Sequence, residues 1–325
     1  MLMMSVSGIV YAIRPGNIGK TWQWRLLAII LSTPLFFWPT RWNTNLEQGE
    51  FRAIVLDIGQ GTAVLIETAN RTLLYDTGPI QGKKDDAGQR IILPYLQGRG
   101  INHINRMVIS HSDSDHVGGA AALLKQVQFD SMMGSLPSAN SLLKNLQARK
   151  VPTMPCRFGQ RWVWDGVEFV IWHPHEETVF ADQYSGKPNE MSCVLEVRNQ
   201  GSSLWLTGDV EKQGEAEIME RLNTAMLREI GNRDLIFMAP HHGSKTSSSM
   251  DLLKRLDPDE AFAQNGYRNR YGHPHPDVIA RYRNLGIPFY QTPETGAQTW
   301  LFKNNAQFST QFLRHDIKRL WHRLR

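Results

Sequence analysis

Within the six residues His111-Ser112-Asp113-Ser114-Asp115-His116 lie two imidazoles and two carboxylates, a density of metal-ligating groups that packing alone does not require. The string follows an apolar run, Arg106 to Ile109, and leads into Gly118-Gly119-Ala120-Ala121, so it sits where a buried strand hands over to a glycine-opened helix. Loops in such places carry function because a rigid scaffold aims their side chains. Alternate residues of a tight loop point to different sides, so His111 and Asp113 can face one cation while Asp115 and His116 face a second. Two further carboxylates end buried runs: Asp76 in Leu73-Leu74-Tyr75-Asp76-Thr77-Gly78 and Asp209 in Trp205-Leu206-Thr207-Gly208-Asp209. Alone, each reads as a cap or turn residue; beside the His/Asp string each reads as a ligand. Ala239-Pro240-His241-His242-Gly243-Ser244 adds an imidazole pair directly after the apolar run Leu235 to Met238.

The elements that must position these groups are legible from hydrophobic period and turn residues. Strands are predicted at Phe51 to Leu56, Thr62 to Glu67, Thr72 to Tyr75, Arg106 to Ile109, Arg161 to Trp164, Glu168 to Trp172, Cys193 to Val197, Ser203 to Leu206, Leu235 to Met238 and Thr299 to Phe302. Helices are predicted from Gly118 and at Ser141 to Arg149, Glu211 to Leu227, Ser248 to Leu256 and Asp277 to Leu285. Mixed strands and helices with two β-rich halves predict an α+β or α/β fold in which two sheets are sandwiched between helices.

The strand-ending Asp, the HxxxDH string, the Thr-Gly-Asp and the Pro-His-His-Gly resemble the ordered motifs of the metallo-β-lactamase fold, an αββα sandwich. The particular forms here are LDIGQG at Leu56 to Gly61, SHSDSDHVGG, NEMS at Asn189 to Ser192, LTGD and APHHGSKTSSS. These resemble the C-terminal domain of the ComEC family, the competence DNA channels, from about Phe51 to Trp300. Lesser stretches share the likeness, among them Trp162 to Val167 and Gly266-Tyr267-Arg268-Asn269-Arg270.

Carried over residue by residue, the resemblance implies that His111 and Asp113 bind a first divalent cation, that Asp115, His116 and His242 bind a second, and that Asp209 bridges them. His242 is favoured over His241 because it aligns with the histidine of the more general Pro-Gly-His form. Asp76 corresponds to the first-motif carboxylate, which orients the loop or the bridging water, and with Asp115 and Asp209 it forms the implied catalytic set. Asp57 and Gln60 are expected beside the metals, and Asn189, Ser192, Ser244, Lys245 and His273 toward substrate. Asp113 stands where the usual HxHxDH string has its second imidazole, and only Asn189, Glu190 and Ser192 stand where a further histidine is usual. Oxygen in place of nitrogen favours harder ions, so Mn²⁺ competes with Zn²⁺. The implied reaction is metal-assisted phosphodiester hydrolysis, by a nuclease acting on the strand of DNA that is not imported. The alternatives are a small phosphodiester or ester as substrate, and a DNA-guiding module without catalysis.

The chain has 325 residues, a formal net charge of +5 and two cysteines, which exclude a disulfide scaffold and a Cys-rich zinc module. Residues 1–45 read as the end of a membrane region: apolar runs Met1 to Ile13 and Leu26 to Trp38 flank a polar break with Arg14, Lys20 and Arg25. The cation bias places the following residues outside the cytoplasm, so that an inner-membrane-associated hydrolase domain, 46–310, faces the periplasm. There a Cys156–Cys193 bridge would persist, the alternative being two buried thiols. A basic amphipathic helix is predicted for Phe312 to Arg325, on anionic lipid, on DNA or packed on the domain.

Overall fold

Strand β1, Phe51–Val55, shows how alternation builds the layers. Phe51, Ala53 and Val55 belong to one buried cluster, whereas Ile54 and the following Leu56 belong to another. Successive side chains of a strand point to opposite faces, so a strand apolar on both parities must be covered on both sides. The computed structural model describes residues 46–80, 82, 85–175, 187–304 and 308–317, all in the second of two units, Asn45–Arg325.

The strands that follow are β2 (Val64–Glu67), β3 (Thr72–Tyr75), β4 (His103–Ile109), β5 (Gln128–Gly134), β6 (Thr153–Pro155), β7 (Arg161–Trp164), β8 (Val167–His173), β9 (Val194–Arg198), β10 (Ser202–Leu206), β11 (Asp234–Met238), β12 (Glu260–Ala263), β13 (Phe289–Gln291), β14 (Gln298–Phe302) and β15 (Ser309–Phe312). Eight form one sheet in the order β15-β14-β1-β2-β3-β4-β5-β6, and seven form the other in the order β13-β12-β11-β10-β9-β8-β7. Residues from both sheets make the central cluster, including Phe51, Leu73 and Val108 from the first and Phe169, Leu204 and Phe262 from the second. The outer face of the first sheet packs on Ile92, Leu96, Leu123, Leu142 and Leu146. That of the second packs on Ile218, Leu222, Leu252, Leu253, Val278 and Tyr282. The result is four layers, αββα.

Chain direction explains why one edge of this sandwich gathers the chemistry. β3 pairs parallel with β4, and β10, β11 and β12 pair parallel in series, so the loops after them open toward a common edge within each sheet. In open α/β sheets, ligands collect outside the carboxyl ends of such strands. Tyr75 ties the two sheets together just below that edge: its hydroxyl donates to the Cys193 carbonyl at 2.7 Å and lies 3.3 Å from that of Leu206.

Two predicted helices differ from those observed. The run Glu211 to Leu227 is two helices, Lys212–Arg221 and Thr224–Gly231. They separate because Leu222 is extended and the Asn223 side chain caps the second by accepting from the Met226 N–H. Phe312 ends strand β15, paired with Gln298, and among the described residues only Leu313–Asp316 is helical after it. Residues 318–325 lie outside the described residues, as do the apolar runs of residues 1–45. Among the described residues no helix is long and apolar enough to cross a membrane.

Candidate metal centre

The loop after β4 supplies the first two residues of the cluster, Asp115 and His116. Its backbone is fixed from outside, because the Asp115 carbonyl accepts from the Thr62 N–H at 3.1 Å and the His116 carbonyl accepts from the Thr77 N–H at 2.7 Å. Gly61 has φ +128°, and a Cβ there would lie 2.4 Å from the Asp115 carbonyl oxygen. Gly61, at the end of the LDIGQG stretch, and Thr62 after it therefore brace this loop with their backbone. Gln60 turns to the Gly266 N–H at 3.1 Å, and Asp57 pairs with Arg314 at 2.7 Å.

Asp76 lies behind the cluster, fully buried. Its Oδ1 accepts from the Ser110 N–H at 2.7 Å, and its Oδ2 accepts from the Ser110 hydroxyl at 2.7 Å and from His116 Nδ1 at 2.8 Å. A histidine that donates from Nδ1 presents an unprotonated Nε2 to a cation, the usual carboxylate–histidine–metal relay. Of its two expected tasks, Asp76 performs the orienting of the loop. Asp76→Asn is expected to weaken metal binding by roughly 10- to 100-fold, the usual cost of losing such a partner. Competition titration against a chelator measures it, and a change under threefold would show that the relay does not set affinity.

From the second sheet, Asp209 enters on the turn after β10. Gly208 there has φ +54°, and a Cβ would meet the Ser110 and Ser192 side chains at 2.8 and 3.0 Å. The Asp209 N–H donates to Ser192 Oγ at 3.0 Å. Ser192 is fully buried and supports Asp209 from beneath, with its Oγ also 3.4 Å from His111 Nδ1. His241 and His242 follow β11 with φ +51° and +53°, in the left-handed region that non-glycine residues avoid. Such conformations persist where the surroundings over-determine them. Here the His241 N–H donates to the Gly208 carbonyl at 3.1 Å, and His242 Nδ1 donates to the Gln264 carbonyl at 2.7 Å.

These elements bring Asp115, His116, Asp209 and His242 together, with one ligand atom from each within 4.8 Å of the others. His116 Nε2 lies 3.1 Å from Asp209 Oδ1, and His242 Nε2 lies 3.2 Å from Asp115 Oδ2 and 3.6 Å from Asp209 Oδ2. His241 Nε2 is also 3.6 Å from Asp209, but its Nδ1 faces Glu211 at 3.2 Å and it stands outside the group of four. Fully buried His111 adjoins His116, ring centroids 4.2 Å apart, and its Nε2 is 3.7 Å from half-exposed Asp113. Among the described residues the buried atoms His111 Nε2, His116 Nε2 and Asp209 Oδ1 make no well-directed hydrogen bond, the last two facing each other at 3.1 Å, which suits ligand atoms aimed at a cation.

The electrostatics agree with that fit. Burial opposes ionisation of Asp209, but His116 and His242 hold its carboxyl well below the usual range. Asp115 is likewise pulled down, against burial, by the His242 hydrogen bond and the His116 charge. Burial disfavours charge on His116, yet Asp209 and Asp76 raise it well above the ordinary imidazole range. The carboxylates thus draw positive charge into this spot, which a divalent ion satisfies with the imidazoles neutral.

The outer residues separate. Asn189 Nδ2 reaches His241 Nδ1 at 3.5 Å, and His273 meets His241 edge-on, with centroids 5.4 Å apart. Burial, then the neighbouring His241 and His242, push His273 down to about 4. Ser244 is occupied by Thr246 at 2.9 Å, and Lys245, 65% exposed, pairs with Asp277 on the surface. Cys156 and Cys193 are joined in a disulfide. Two residues were not foreseen: Glu211, whose position two residues past Asp209 is its one sequence signal, and Gln264, which holds His242 through a backbone carbonyl that no sequence pattern reveals.

Fold and site together define a metallo-hydrolase architecture, and residues 56–264 match the Metallo-beta-lactamase superfamily, so the chain belongs to that superfamily. More particularly, it is 32% identical over 298 residues to Competence protein ComA of Neisseria gonorrhoeae, a match covering 91% of this chain and 38% of that protein. It is 34% identical over 237 residues to Recombination protein 2 of Haemophilus influenzae, covering 73% of this chain and 27% of the relative. ComE operon protein 3 of Bacillus subtilis is 28% identical over 270 residues, with coverage of 78% and 33%. The likeness to the ComEC competence family thus extends over most of the chain, which itself spans well under half the length of these relatives.

Proposed function

We propose that this domain is a two-metal phosphodiesterase acting on single-stranded DNA, in the setting of DNA uptake that its relatives' names suggest. The observation that carries the reading is the convergence of Asp115, His116, Asp209 and His242 from two sheets onto one buried point, their ligand atoms within 4.8 Å of one another. His111 and Asp113 would hold a first cation, Asp115, His116 and His242 a second, and Asp209, which faces His116 and His242 and feels the charge of His111, would hold both. Bound divalent cations, Mn²⁺ or Zn²⁺, supply Lewis acidity, which makes a water nucleophile available near neutral pH and neutralises charge on phosphoryl oxygens. Asp115 and Asp209 are held ionised beside that space, as acceptors that orient an attacking water. Asp76 keeps His116 in the tautomer that leaves Nε2 free.

The same reading places the domain on the periplasmic side of the inner membrane, joined through residues 1–45 to a channel region of the ComEC type. The Cys156–Cys193 disulfide suits an oxidising compartment.

Incubating the full chain, in mild detergent, with end-labelled single-stranded DNA and Mn²⁺, Zn²⁺ or EDTA tests the activity. Cleavage is expected with one of the ions and none with EDTA. Hydrolysis of a small phosphodiester without cleavage of DNA would transfer the site to small substrates, and DNA binding without any hydrolysis would make it a guiding module.

A further inference from the structure

The stretch Gly266 to Arg270 takes no part in the cluster. It starts just past the carboxyl end of β12, and its continuation reaches His273 at the edge of the site. Asn269 ties this loop together. Its Nδ2 donates to the Gly266 carbonyl at 3.0 Å, and its Oδ1 accepts from the N–H groups of Tyr271 and His273 at 3.2 and 3.0 Å. On that frame Tyr267 and Tyr271 stand 48% and 53% exposed, in a domain that buries most of its other aromatic rings. Each has a guanidinium against it: Arg268 lies 5.3 Å from the Tyr267 ring centre and Arg270 lies 4.8 Å from that of Tyr271. Ring contacts connect this pair to the metal centre. Tyr271 stacks on His273 with centroids 5.8 Å apart, His273 meets His241 at 5.4 Å, and His241 Nε2 is 3.6 Å from Asp209.

An exposed ring with a cation beside it suits a ligand that has a flat π face next to a negative charge. A nucleotide in an unpaired strand has both, and stacking on such rings tolerates any base. In a duplex the bases stack on one another and leave no face for the tyrosines, and a small phosphodiester lacks the base.

We propose that residues 266–273 form a stacking platform for single-stranded nucleic acid, with bases on Tyr271 and Tyr267 and the flanking phosphates on Arg268 and Arg270, delivering a phosphodiester to the metal centre. The purpose assigned to the platform rests on the phosphodiesterase reading; its test is binding, without metal or turnover. The probe is the anisotropy of a fluorescein-labelled oligothymidylate titrated with the full chain in EDTA. Tyr271→Ala is expected to weaken binding about 5- to 150-fold, the range found for loss of one base–aromatic stack. Tyr271→Phe keeps the ring and stays within twofold of the parent, while an abasic strand binds weakly and is indifferent to Tyr271→Ala. Arg268→Gln with Arg270→Gln lowers the salt slope by about 1.4, since each single-strand phosphate contact contributes about 0.7.

The proposal is overturned if Tyr271→Ala and Tyr267→Ala both bind within twofold of the parent, or if the parent does not bind the strand. It is also overturned if these variants instead lose binding to phosphatidylglycerol vesicles, which would assign the loop to a lipid surface. A strand bound through the tyrosines but uncleaved in Mn²⁺ or Zn²⁺ leaves the platform standing and removes the phosphodiesterase reading. Cleavage by a parent whose tyrosine variants bind equally well does the reverse.

Discussion

Replacing Asp209 by alanine is expected to lower kcat/KM on single-stranded DNA by about 10³-fold, because metal-ion charge stabilisation contributes several kcal/mol and each 1.36 kcal/mol is tenfold in rate. Asp209 is buried, its N–H is held by Ser192 Oγ at 3.0 Å, and its oxygens face His116 on one side and both His241 and His242 on the other. Among the described residues no other carboxylate faces all three imidazoles, since Asp115 faces His116 and His242 and Glu211 faces His241, so the cluster cannot be rebuilt around the gap. Asp209→Asn keeps the shape and loses the charge, and its activity should fall between that of alanine and the parent. Melting in EDTA separates the explanations: a cooperative transition in Asp209→Ala shows that the loss lies at the site and not in the fold. Activity within tenfold of the parent would mean that Asp209 is not a ligand that matters to the reaction.

Asp209 was legible in the sequence because a carboxylate after an apolar strand and a Gly has few structural uses once a His/Asp string is nearby. The strands that carry the cluster were equally legible, since β1, β3, β4, β10 and β11 are short apolar runs bounded by turn residues. β5, β12 and β13 were not. QFDSMMG contains no β-branched residue, and EAFA and FYQ are three or four residues long with helix-forming Ala and Glu in the first. They are strands because parallel neighbours offer them hydrogen bonds, a tertiary choice that local propensity does not record. The same limit applies to the outer site. Ser192, Gln60 and Asp57 lie in motif-bearing segments, but proximity in a motif does not say which way a side chain turns. Ser192 turned inward to the Asp209 N–H, Gln60 to Gly266 and Asp57 to Arg314. His241 and His242 share a left-handed backbone, and what separates them is their partners, Glu211 for His241 and the Gln264 carbonyl for His242, which no side-chain pattern reports.

The largest effect on stability is expected from the disulfide. Cys156 and Cys193 are separated by 37 positions and fully buried in the central cluster between the sheets. Closing a loop of that size removes unfolded-state entropy corresponding to about 4 kcal/mol. For a domain of this size each kcal/mol moves the thermal midpoint by about 2–4 °C, so Cys156→Ala with Cys193→Ala should lower it by roughly 10 °C. The bond also bears on the site. The Cys193 N–H donates to the Ser110 carbonyl at 2.8 Å, and the preceding Ser192 holds Asp209 from one side while its carbonyl accepts from His173 Nδ1 at 2.7 Å. Loosening this strand start should therefore raise the metal concentration needed for half-maximal activity before it lowers the activity reached at saturation, because the ligands themselves remain on separately anchored strands. Calorimetry of the oxidised, reduced and double-alanine forms, paired with metal titrations well below the new midpoint, reads both effects. A midpoint unmoved by either reduction or substitution would mean that the closely packed sheets, and not the cross-link, fix Ser192 beneath the metal centre.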